Sequence, residues 1–120
     1  VKPKRHIRKK AVFEFANGAA GPGLVQSQEL CLEGELLHIQ QRNSDNTNNV
    51  TAQLTLEDVD GFEIFDGTAK PDNTVHNHEF GVAIRRILTG KNPLKCTISG
   101  NPGASGYTVT VVVHLYGRDG

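Results

Sequence analysis

The stretch Tyr107-Thr108-Val109-Thr110-Val111-Val112-Val113-His114-Leu115-Tyr116 reads as a β-strand, and its reading decides the fold class. Successive side chains of a strand point to opposite faces, so Tyr107, Val109, Val111, Val113 and Leu115 share one apolar face. Thr108, Thr110, Val112, His114 and Tyr116 share the other, a mixed face that a second layer or subunit can cover. Upstream, Leu94, Cys96 and Ile98 alternate with Lys95, Thr97 and Ser99 in the same way. The linker Gly100-Asn101-Pro102-Gly103-Ala104-Ser105-Gly106 is turn chemistry, so the pattern predicts an antiparallel hairpin joining the two runs.

The same period of two recurs towards the N-terminus. Leu30 and Leu32 precede Gly34, and Leu36–Gln41 follow it with Leu37 and Ile39 on one side. Residues 42–49 (RNSDNTNN) are polar turn formers and predict an exposed loop. Val50, Ala52, Leu54 and Leu56 alternate with Thr51, Gln53, Thr55 and Glu57, a half-buried strand with a wet outer face. Asp60-Gly61 marks a turn into the short strand Phe62–Phe65, and Phe13 and Phe15 can pack inward from a further strand near the start. Residues 67–93 are ambiguous. Phe80–Leu88 admits a strand or a short helix, and an extended crossover is expected. The fold class is therefore all-β, a compact antiparallel β-sandwich or small barrel of about seven strands.

Charge is unevenly distributed. Net charge is zero over 120 residues, yet residues 1–10 (VKPKRHIRKK) hold six of the thirteen Lys and Arg and no acid. The rest carries seven bases against thirteen acids, a formal −6. With little to bury in such a segment, residues 1–12 are expected to be a flexible basic N-terminal arm, and residues 13–120 the sandwich domain. The arm reads either as a solvated tail or as a tether to an acidic protein surface or to phosphates. An extended arm can also add a strand to a neighbour's sheet edge. Lys2, Lys4, Arg5, Arg8, Lys9, Lys10 and Phe13 are the candidate contact residues. No apolar run approaches the roughly 18 residues of a membrane helix, and no secretory signal pattern opens the chain.

Chemistry-bearing residues are sparse. No Gly-rich phosphate loop, Ser-centred elbow or Cys-plus-spaced-His pattern is present, so no enzyme and no cofactor are expected. His76-Asn77-His78-Glu79 would put two imidazoles on one side of a strand, but zinc takes three or four ligands, and exposed or interfacial histidines are the expectation. His38 and His114 sit on the outer sides of their strands, and His6 belongs to the arm. Parity points Cys31 outward beside Glu29 and Glu33 and Cys96 inward with Leu94 and Ile98, which predicts free thiols and suits a reducing cytoplasm. The body lacks a basic, aromatic-bearing sheet face for stacking bases, so nucleic acid is not the expected partner. Sugar stacking has little support at 6% aromatic residues.

Gly21-Pro22-Gly23, Gly34-Glu35-Leu36-Leu37-His38-Ile39, the strand Val50–Leu56 and the ending from Cys96 through Ser99-Gly100 to Tyr107–Val111 resemble a family of small tailed-bacteriophage structural proteins. The resemblance spans about residues 21–116. It implies a virion component, foremost a capsid decoration or cement protein on the outer face of the head, made in the host cytoplasm. Its implied partners are the major capsid protein and other copies of itself, as in a homotrimer. The basic arm departs from the shorter starts of that family, which suits either a tether to the shell or a different position in the particle. A neck or tail protein of the same particle, or a receptor- or carbohydrate-binding module, are the alternatives.

Overall fold

A computed structural model describes residues 4–80 and 87–117 of the chain. It is a β-sandwich of two antiparallel sheets. The strands, in chain order, are β1 (Arg5–Phe15), β2 (Val25–Cys31), β3 (Gly34–Asn43), β4 (Ala52–Glu57), β5 (Glu63–Asp66), β6 (Thr74–Glu79), β7 (Ile87–Leu88), β8 (Lys91–Ile98) and β9 (Tyr107–Gly117). One sheet runs β1-β9-β3-β6, with the short β7 also on β3; the other runs β2-β8-β4-β5.

The core lies where the alternating apolar faces meet. Val109, Val111, Val113 and Leu115 of β9 are fully buried, opposite Leu54 and Leu56 of β4 and Leu94 and Cys96 of β8. Burying each such side chain contributes about 1.5–3 kcal/mol. Because β9 is central in its sheet, its outer residues Thr108, Thr110, Val112 and His114 are half-covered by their neighbours on β1 and β3.

The expected hairpin between Leu94–Ile98 and Tyr107–Tyr116 does not form. β8 pairs with β2 and β4, whereas β9 pairs with β1 and β3, so residues 99–106 cross from one sheet to the other. Both runs bury one face on the same core, and a linker this long spans the roughly 10 Å between packed sheets. The strand in Leu36–Gln41 also departs from strict alternation. A bulge between Leu36 and His38 turns Leu36 and Ile39 inward and leaves Leu37 half-buried. The expected loop over residues 42–49 starts later, because Arg42 and Asn43 belong to β3 with Asn43 buried; the rest is largely exposed, with one exception. Asn46 is buried, its amide donating to the Val50 carbonyl while its oxygen accepts from the Val50 N–H, which fixes the entry to β4.

The N-terminal segment is the principal correction. From Arg5 onward the basic stretch is not a free arm: it is β1, paired residue by residue with β9 from Arg5↔Gly117 to Phe15↔Tyr107. The domain therefore begins well before residue 13. Ile7, Ala11, Phe13 and Phe15 are buried at period two, and this apolar row offsets the cost of ordering the segment. Gln26 and Gln28 of β2 reach across and donate to the Glu14 and Val12 carbonyls, tying the edge of one sheet to the edge of the other. Most of the ambiguous Phe80–Leu88 segment lies outside the described residues.

Candidate functional site

The edge strand β1 positions the candidate contact residues. Its outward side chains are His6, Arg8, Lys10, Val12 and Glu14, all exposed, with Lys9 half-buried on the inward side between Ile7 and Ala11. Lys4 and Arg5 extend the basic row at its start. Lys4, Arg5, Arg8, Lys9 and Lys10 are thus brought together along one rim of the sandwich, held by the β1–β9 ladder. Phe13 is corrected: it is wholly buried between the sheets and serves the core, because it falls on the odd, inward parity of β1. Lys2 lies outside the described residues.

Basic side chains on an edge strand have two physical consequences. They block pairing with a like edge, since two copies of this strand would set cation against cation. They also make a preformed, linear cationic surface for an acidic partner. Lys9, an inward-facing charge on an edge strand, strengthens the first effect.

Behind this rim, three strands place a histidine ladder on the outer face. His38 of β3 lies directly opposite His114 of β9, and His6 of β1, opposite Tyr116, reaches His114 on the diagonal. The His114 and His38 rings stack with centroids 3.9 Å apart and an interplanar angle of 14°. His6 Nε2 and His114 Nδ1 share a hydrogen bond at 2.8 Å. Arg8 faces His114 in register from β1, and Glu79 of β6 faces His38 from the other side. Burial, then the neighbouring His38, His6 and Arg8, push the His114 pKa below its ordinary value. The neutral rings can share a proton along the His6–His114 bond; the charged rings would repel. Parity placed His38 and His114 on outer faces, but their meeting with His6 depends on the pairing of three strands distant in sequence.

The His76–Glu79 run forms β6, the edge strand beside β3, where His76 and His78 do share a side. That side faces inward. His78 packs on Phe65 of β5 with centroids 4.8 Å apart and lies 3.4 Å from the Gln41 side-chain oxygen, while His76 bonds the Thr74 hydroxyl at 2.9 Å. Burial, followed by Lys70, lowers both pKa values. These imidazoles close the far rim of the sandwich. Among the described residues no group of three or more His, Cys, Asp or Glu converges so as to hold a metal ion. The ladder histidines illustrate why: stacked rings aim their in-plane lone pairs side by side and not at one point.

The two thiols sit as parity predicts. Cys31 is exposed and Cys96 is buried, both free, and burial pushes Cys96 up to about 12.

No family model and no curated protein sequence matches the chain. Among solved structures it is similar to one of infectious bursal disease virus, Gx strain, with a TM-score of 0.45 and 12% identity over 99% of this chain and 34% of that one. Particles described as T=1, derived from infectious bursal virus, give a TM-score of 0.44 and 11% identity over 95% of this chain and 32% of that one. The Gt strain of infectious bursal disease virus gives 0.43 and 12%, over 97% and 33%. The chain spans about a third of the length of these viral chains.

Proposed function

We propose that the chain is a non-catalytic structural component of a virion, a decoration or cement protein that binds the outer face of a tailed-phage head through the basic rim of β1. The observation that carries the reading is the fixed row of exposed cations on an edge strand, with Arg8 and Lys10 pointing outward. The sequence resemblance to small phage structural proteins supports the virion setting. A row already ordered in the free protein loses less conformational freedom on docking than a tail would. Acidic ridges of the major capsid protein are its complement. Many copies on one shell add modest contacts into firm attachment.

Co-sedimentation with empty heads of the virus that encodes the chain tests this. Binding that saturates at a fixed stoichiometry, and that R8E/K10E weakens at least about ten-fold, or ~1.4 kcal/mol, is the expected result. Wild-type protein that stays in the supernatant would rule out decoration. Equal affinity of the variant would remove β1 as the contact.

A further inference from the structure

The two lateral rims of the sandwich carry opposite charge. β1 and β2 form one rim, joined by the Gln26 and Gln28 bonds; β5 and β6 form the other, joined by the Phe65 packing on His78 and Phe80. Among the described residues the first carries Lys4, Arg8, Lys9 and Lys10 against Glu14 and Glu29, with Glu33 and Glu35 beside Lys4 at its end. Among the described residues the second carries Asp58, Asp60, Glu63, Asp66 and Glu79 against Lys70. Glu57 is already paired with Lys95 at 3.5 Å and adds little. Asp58 turns its Oδ1 to the backbone N–H groups of Asp60 and Phe62, which fixes the acidic β4–β5 turn in place.

Along β1-β9-β3-β6 the two edge strands lie three inter-strand spacings apart, about 14 Å. That exceeds the Debye length of about 8 Å at physiological ionic strength, so the rims do not neutralise each other within one molecule. Each is left to act on something outside it.

We infer that, in the free protein, the partner of each rim is the opposite rim of a second copy of this chain, giving head-to-tail association of the β1 edge of one copy with the β4–β5 edge of the next. Charge complementarity selects this occupant. Pairing β1 with β1 sets cation on cation, and pairing β5 with β5 sets carboxylate on carboxylate, so a two-fold contact through either rim is disfavoured. A contact between unlike patches is heterologous: it closes into a ring when the rotation per copy permits, and otherwise extends as a filament. The inference goes beyond the decoration reading: the β1 rim meets a second copy in free solution, and the shell competes with that copy for the same cations. Arg8, Lys10, Asp60 and Glu63 are the residues at the contact, all exposed and none of them part of the apolar core.

Sedimentation velocity of the full chain tests the inference by charge exchange. The wild type should associate at about 0.03 M salt and revert to monomer near 0.5 M, an affinity loss of about ten-fold or more. R8E/K10E and D60K/E63K should each be monomeric at low salt, and an equimolar mixture of the two should associate again. R42E/K91E carries the same net-charge change as R8E/K10E but lies off both rims, and should associate as the wild type does. A wild type that stays monomeric at low salt, rim variants that associate unchanged, or a control that loses association equally would each overturn the inference. The two readings fail separately. A protein monomeric in solution that still saturates phage heads refutes only the rim-to-rim contact. One that assembles rim to rim but ignores heads refutes only decoration.

Discussion

Phe13→Ala separates a strand from a tail. Phe13 is 0% exposed and lies opposite Val109 in the β1–β9 ladder, whereas its neighbour Val12 is 37% exposed on the outer face. Truncating a fully buried Phe costs about 3–5 kcal/mol, from lost transfer energy plus the cavity left behind. A domain of this size has roughly 5–15 kcal/mol of stability in all, so the variant should be close to its limit. With a urea slope of about 1.5 kcal/mol per molar, the midpoint should fall by about 2–3 M at unchanged slope. Val12→Ala removes two half-wet methyls and should cost under about 1 kcal/mol. The Gln28 bond to the Val12 carbonyl survives that change because it uses the backbone. Paired urea titrations followed by circular dichroism read the contrast directly. If both variants cost the same small amount, residues 5–15 are not docked on the core and the account of β1 is wrong.

Further outcomes follow from the same geometry. His114 has a folded pKa below its ordinary value, so the folded state binds protons less readily than the unfolded chain. Its contribution to stability is complete above about pH 6.5 and is lost as pH falls through the folded value; H38Q/H114Q should flatten that acid slope in thermal melts between about pH 7.5 and 4.5. Gly34 has φ +135°, and an added Cβ would come within 2.7 Å of the Tyr116 carbonyl oxygen, so Gly34→Ala should cost about 1–3 kcal/mol by urea titration. The Tyr107 hydroxyl is buried without a hydrogen-bond partner, so Tyr107→Phe should leave stability unchanged or raise it by about 1 kcal/mol. A thiol reagent should label Cys31 at once and Cys96 only on unfolding, since the latter is buried with its pKa pushed up to about 12; two equally fast phases would contradict the inward placement of β8.

The period of two made much of the sandwich legible. β9, β4 and the later half of β8 bury the faces their alternation predicts, and the orientation of both cysteines follows from parity alone. Pairing was not legible, because alternation says which face is apolar but not which neighbour lies beside it. A Gly- and Pro-rich linker serves a hairpin and a crossing between sheets equally well, as residues 99–106 do here. β1 was hidden by its own charge. Six cations in ten residues suggest a tail, yet Ile7, Ala11, Phe13 and Phe15 keep the inward parity, and a half-exposed edge strand tolerates cations on its other side. β6 escaped for a related reason: Thr-Val-His-Asn-His-Glu has little apolar content, and its placement comes from pairing with β3. The histidine ladder joins residues up to 108 positions apart and becomes visible only once the order β1-β9-β3 is known.

The central claim is that the basic segment is a fixed strand in the free protein and the surface through which it attaches. Hydrogen–deuterium exchange of residues 5–15, measured on the protein alone and again on phage heads, tests both parts at once. The account predicts slow exchange at alternate amides of β1 in solution, with further protection of residues 5–10 on the shell. Fast exchange throughout the free segment, or protection confined to another face on binding, would contradict it.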